Sequence, residues 1–247
     1  PEHVPPALRD EIELDNPHPV YGAYQGNKIA SAFQREEVRE KVIPAYMGLI
    51  KQCDDQLGRL LDHLEETDTL KDTMIVLTSD HGDYLGDHWL GEKDLFHEQS
   101  VKVPLIIFDP RESADTARGT VCDALVESID LAATFVEAAG GEVPDHIIEG
   151  RSLMPWLRGE TPDWREFVIS EYDYSVTPQC VKLGLEPRDA RLFMVFDGRF
   201  KMMHAEGGMR PMLFDLETDP EEFHDLAKGD THQAEIDWLY DMLAQWG

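Results

Sequence analysis

The sequence predicts an α/β protein, with a largely parallel sheet flanked by helices, followed by a small antiparallel sheet and a C-terminal helix. A long amphipathic helical pattern, two short continuous apolar runs and a change of texture beyond Trp156 carry that expectation. The helical pattern is Tyr46, Leu49, Ile50, Cys53, Leu57, Leu60, Leu61 and Leu64, which keeps these side chains on one helix face. Pro44 suits the first turn of that helix, where an amide hydrogen would have no partner. The runs Met74–Thr78 and Val103–Phe108 have the length and continuity of strands buried on both faces, as in a parallel sheet covered by helices. A second helical pattern through Leu125, Ile129, Ala132, Ala133 and Val136 ends at Gly140-Gly141.

Beyond Trp156, the segments Phe167–Ser170, Leu192–Phe196, Arg199–Met203 and Met212–Leu216 read as short strands. Asp197-Gly198 marks a tight hairpin between the second and third of them. Ile236, Trp238, Leu239, Tyr240, Leu243 and Trp246 supply a closing amphipathic helix. The expected division is an α/β part over residues 1–160, with 1–26 an extended proline-rich segment, and a small α+β subdomain over 161–247.

A chain of 247 residues with 42% hydrophobic content can bury a full core. Fifty acidic against 22 basic residues give a formal charge of −28, a field that repels nucleic acid and anionic membrane surfaces. A small anionic substrate would need a local cation. No run reaches the roughly 18 apolar residues of a membrane helix, and the first six residues lack a signal-peptide pattern. Cys53, Cys122 and Cys180 are odd in number and lie outside CxxC and zinc-ligand spacing, which fits a reducing, cytoplasmic compartment. Cys53 falls on the apolar stripe of the first helix and is expected to be buried.

The segment Ser79 to Lys93 follows the first apolar run. Ligands collect at the carboxyl ends of strands in open α/β sheets, so Asp80 and His81 leave the sheet where a site is expected. A carboxylate and an imidazole are donors that a divalent cation accepts, and Gly82 allows the backbone to turn sharply beside them. Alone, an Asp-His-Gly triplet is equally well a capped turn with a surface histidine.

The ordered surroundings change that balance. Asp80-His81-Gly82 and a glycine-containing loop to Lys93 are followed by Phe96-His97-Glu98 and by Val101-Lys102-Val103-Pro104. Ser128-Ile129-Asp130-Leu131, Glu149-Gly150-Arg151-Ser152-Leu153, Leu213-Phe214-Asp215-Leu216 and Asp219-Pro220-Glu221 come next. In this set, from about Tyr46 to Gly247, the chain resembles the C-terminal portion of the sulfatase family in the alkaline phosphatase superfamily. The resemblance is strongest to the phosphonate monoester and phosphodiester hydrolase branch.

That resemblance implies hydrolysis of sulfate, phosphonate or phosphate esters, with Asp80 and His81 as metal ligands and Lys93 contacting the oxyanion of a small anionic ester. Most sulfatases carry asparagine at the position of His81, a pattern suited to calcium. The imidazole favours manganese as the single divalent ion, with calcium or zinc as alternatives. The family nucleophile, formylglycine made in a Cys/Ser-x-Pro-x-Arg motif, has no match here and is expected on upstream sequence, so this fragment alone should be inactive. An arylsulfatase using calcium and a non-catalytic remnant kept for interaction or assembly are the competing readings.

Other residues keep two readings each. His97 and His88 either line a substrate pocket or pack internally, and Tyr84 and Trp89 either wall the substrate or anchor the loop. Arg151 is read as a structural ion-pair partner, with substrate contact as the alternative. The proline-rich start and the closing helix could each bury surface in a homo-oligomer.

Overall fold

The computed structural model describes residues 3–144 and 146–246, which divide into two compact units. The first comprises Pro1–Leu49, His81–Val103 and Ile169–Gly247, and the second Ile50–Asp80 and Pro104–Val168.

In the first unit the proline-rich start is not extended throughout. Pro19 pre-sets the first turn of helix α1 (Pro19–Gln25), and the His18 ring accepts the Val20 amide, so an N-terminus forms where periodicity was weak. Tyr21 and Tyr24 are thereby turned into the core. Asn27 caps the next helix, α2 (Lys28–Phe33), by accepting from both Ile29 and Ala30.

Helix α3 (Glu36–Glu66) is longer than its apolar pattern suggested and begins ten residues before Tyr46. Pro44 is therefore inside the helix rather than in its first turn. Glu36 and Glu37 sit at its positive end, which supplies the start signal that the apolar count overlooked.

Four strands, β3 (Val168–Asp173), β4 (Arg191–Phe196), β5 (Phe200–Ala205) and β6 (Met212–Asp215), form one sheet in that order. The β4–β5 and β5–β6 pairs are antiparallel, with Phe196 opposite Lys201 and Met203 opposite Met212. At the β4–β5 turn the Asp197 carboxylate accepts the amides of Arg199 and Phe200, and Gly198 takes φ 96°, a conformation that suits glycine. Helices α6 (Pro178–Leu183) and α7 (Gln233–Trp246) belong to the same unit. Its core joins Tyr21, Tyr84 and Phe96 to Leu192, Met203 and Phe214.

In the second unit, β1 (Ile75–Thr78) and β2 (Leu105–Phe108) fall within the two apolar runs, and α5 (Asp130–Ala138) follows. The α/β class holds, but these two strands pair antiparallel, with Ile75 opposite Phe108, where parallel pairing was expected. A parallel neighbour needs a substantial crossover, and residues 79–104 hold only the turn Asp87–Trp89 and helix α4 (Glu98–Val101). Asp130, fully buried, accepts the amides of Glu127 and Arg151 and the guanidinium of Arg165, fixing the start of α5.

The apolar faces are incompletely covered. Ile106 is 61% exposed, Leu77 40% and Leu60 50%, and Cys53 is exposed rather than buried. Amphipathic spacing identifies a face that prefers burial; it does not supply the partner that buries it.

Candidate active site

His81 is half-buried, and its Nδ1 lies 2.7 Å from the Gly82 carbonyl oxygen. A carbonyl only accepts, so that nitrogen carries a hydrogen and the contact orients the ring. Asp80, exposed, precedes it.

Gly82 is required by space. A Cβ there would stand 1.9 Å from the carbonyl oxygen of Gln99, and the Gly82 amide donates to the Ser100 carbonyl at 2.8 Å. The sequence reading assigned this glycine to a sharp turn; its role is close approach between two backbone segments.

Asp83 was not singled out in the sequence, although a second carboxylate two residues after His81 is the signal that could have found it. Its Oδ1 accepts the Leu85 amide at 2.9 Å. Burial pushes its carboxyl up, while the Leu85 amide, His81 and Lys93 pull the other way. The charges of His81 and Lys93 thus both act on one carboxyl group.

Lys93 is exposed, so its ammonium group can meet a dissolved anion, while the backbone around it is tethered. Ser100 Oγ donates to the Lys93 carbonyl, and the Tyr84 amide donates to the Glu92 carbonyl at 2.8 Å.

His97 and His88 are interior, 2% and 0% exposed, and their rings stack 3.8 Å apart at 4°. The Tyr84 hydroxyl accepts the His97 amide and is hydrogen-bonded to His97 Nδ1 at 3.1 Å. His97 lines a narrow pocket of about 30 Å3, together with His18, Tyr21 and Glu222. Trp89 anchors its loop, donating from Nε1 to the Asp10 carbonyl at 2.8 Å. The Arg151 guanidinium lies 6.0 Å over the Trp164 ring.

Glu13, His88 and His97 bring potential ligand atoms within 4.8 Å of one another. Parallel stacking, however, places the two imidazole lone pairs in separate planes that cannot converge on one ion. His88 is also already engaged, Nδ1 with Glu13 at 2.6 Å and Nε2 with Gln99 at 3.1 Å. The arrangement is a packing and hydrogen-bonding cluster.

Burial lowers the pKa of His97 well below the ordinary histidine value, with the charges of His88 and Lys201 adding to it, and burial lowers His18 to about 4. Both rings bind protons less readily folded than unfolded. Stability therefore falls as pH drops below about 6.5, by about 1 kcal/mol for each histidine over the first pH unit. A His18→Gln/His97→Gln double variant should lose that dependence. Urea midpoints of both proteins between pH 6.5 and 5.5 check this, and identical slopes would contradict it.

A family model for sulfatases matches residues 12–141, and one for the C-terminal part of N-sulphoglucosamine sulphohydrolase matches residues 86–246. The chain belongs to the sulfatase family. Among its relatives in that family is the multifunctional alkaline phosphatase superfamily protein PehA of Trinickia caryophylli, 37% identical over 195 residues, covering 76% of this chain and 37% of that protein. The choline-sulfatase of Rhizobium meliloti is 31% identical, covering 98% of this chain and 45% of that protein. Among solved structures, the phosphonate monoester hydrolase SpPMH from Silicibacter pomeroyi matches with TM-score 0.88 and 32% identity, over 98% of this chain and 49% of that chain. This sulfatase-family chain thus spans less than half the length of these relatives. None of its described helices is long and apolar enough to cross a membrane.

Proposed function

We propose that this chain is the C-terminal part of a metal-dependent hydrolase of sulfate, phosphonate or phosphate esters. Asp80 and His81 are its contribution to the metal site, and Lys93 is its contact to the oxyanion. The observation that carries the reading is the hydrogen bond from His81 Nδ1 to the Gly82 carbonyl, which orients the imidazole next to a carboxylate residue in the chain. An acidic-and-imidazole donor pair fits a divalent cation, manganese in preference to calcium or zinc. When bound, such an ion withdraws charge from the ester oxyanion.

The chain's own residues do the rest by placement. His81 is oriented by its backbone acceptor, so little reorganisation is needed on binding. Lys93 brings a positive charge to a protein of net charge −28, which favours capture of an anion and stabilises charge that builds on it during transfer. Asp83, acted on by both His81 and Lys93, holds the local charge balance before substrate arrives.

Two donors are too few for a catalytic metal, which takes three or more protein ligands. The remaining ligands and the formylglycine-type nucleophile would come from sequence outside this chain. The exposed apolar faces at Leu77, Ile106 and Leu60 support further polypeptide covering them. Within the ester class, histidine at position 81 resembles the phosphonate monoester and phosphodiester branch, which favours those esters over sulfates.

Turnover of an aryl phosphonate monoester and of an aryl sulfate by the complete polypeptide tests the substrate class. Higher kcat/KM on the phosphonate is expected. Preference for the sulfate would move the assignment to an arylsulfatase, and turnover of neither would sink the hydrolase reading.

A further inference from the structure

We propose that residues 5–13 are a positioning strap for the loop that carries Lys93, acting through the Glu13 carboxylate on the buried His88; this rests on Lys93 being the oxyanion contact. The strap and the loop lie in the same unit and are joined at successive points. The Leu8 amide donates to Asp87 Oδ1 at 2.9 Å, and the His88 amide donates back to the Leu8 carbonyl at 2.8 Å. Trp89 Nε1 donates to the Asp10 carbonyl at 2.8 Å, and the Arg9 guanidinium lies 4.5 Å over the same indole. Arg39, 2% exposed, ties the two segments together by donating to the carbonyls of Pro5 and Leu85, each at 3.0 Å.

Glu13 is fixed at both oxygens. One accepts the Asp10 amide at 2.8 Å, closing a capping box, and the other meets His88 Nδ1 at 2.6 Å. Beyond His88 the stack on His97 and the hydrogen bond between His97 and Tyr84 lead back to the Tyr84 amide, which holds the Glu92 carbonyl. The strap therefore reaches the residue immediately before Lys93 through buried contacts.

The loop needs such a mould. Leu85, His88, Trp89, Glu92 and Leu95 all have positive φ, between 49° and 83°, within eleven residues. Non-glycine residues in this region cost about 1–3 kcal/mol each at strained sites, and they persist where surrounding contacts over-determine them. A free loop of this sequence would relax, and the Lys93 ammonium would leave its place. Placement errors of about 1 Å at a catalytic group can cost on the order of a hundredfold in rate.

The test is a double-mutant cycle in the complete polypeptide, assayed on an aryl phosphonate monoester and by calorimetric binding of inorganic phosphate. Glu13→Ala is expected to lower kcat/KM by about ten- to a hundredfold in the wild-type background, largely in kcat, and by less than about twofold in a Lys93→Ala background. Phosphate affinity should follow the same pattern. Glu13→Gln, which keeps an acceptor for His88, should restore most of the loss. Trp89→Phe, which removes the strap bond to Asp10 and keeps an aromatic ring beneath Arg9, provides a milder variant should Glu13→Ala fold poorly, with an expected loss of severalfold and the same dependence on Lys93. Equal losses in both backgrounds, or no loss on Glu13→Ala, overturn the strap. Unchanged activity on Lys93→Ala alone would instead remove the oxyanion assignment on which it rests.

Discussion

Replacing Lys201 with methionine is expected to lower the unfolding free energy by about 3–5 kcal/mol, the cost of leaving buried charges without their partner. Lys201 lies on β5, is 1% exposed, and places its ammonium 2.6 Å from Glu98 Oε1 and 3.0 Å from Glu222 Oε1. It also donates to the Phe96 carbonyl at 3.2 Å. Burial pushes both carboxyls up; Lys201 and Lys102 together outweigh it at Glu98, which ends below its ordinary value, whereas Lys201 does not outweigh it at Glu222. Methionine matches the length of the stem but removes the charge, leaving two carboxylates and a carbonyl facing a thioether. Glu222 Oε2 additionally accepts the Glu98 amide, so the triad holds the start of α4. Urea denaturation of both proteins at neutral pH measures the difference, and a loss under about 1 kcal/mol would mean that the carboxylates find other partners or take up protons at little cost.

Lys93→Ala is the largest expected functional loss apart from the metal ligands themselves. Removing one pre-placed donor from a developing oxyanion costs about a hundred- to a thousandfold in kcat. Because Lys93 is exposed and its backbone is held through its carbonyl rather than its side chain, stability should be nearly unchanged. Steady-state kinetics of the complete polypeptide separate the cases. A rise in KM alone would make Lys93 a ground-state binding residue, and no change in either constant would remove it from the site.

What the sequence made legible follows the range of the forces involved. The β4–β5 hairpin was readable because Asp197-Gly198 is a local signal, with the carboxylate satisfying amides two and three residues on. The apolar runs were readable as strands, but their mutual direction depends on the connection between them, and residues 79–104 form no crossover of the kind parallel pairing needs. The exposure of Cys53 was unreadable for a related reason, since a stripe records preference and not partnership.

The candidate site divides in the same way. Asp80, His81 and Lys93 lie within fourteen consecutive residues and could be read together. The Glu13–His88 contact joins residues 75 apart, and the Lys201–Glu98 contact joins residues 103 apart. Neither spacing has meaning until the chain folds. Lys201 in a strand reads as an ordinary polar position, and the role of Gly82 reads as a turn until the Gln99 carbonyl is seen against it.

The central claim is that Asp80 and His81 hold a catalytic cation. Calorimetric titration of manganese into the metal-free complete polypeptide, beside Asp80→Ala, tests it most directly. One saturable binding event, lost in the variant, is the expected result. Saturable binding that survives Asp80→Ala, or none in the wild-type protein with manganese, calcium or zinc, would contradict it.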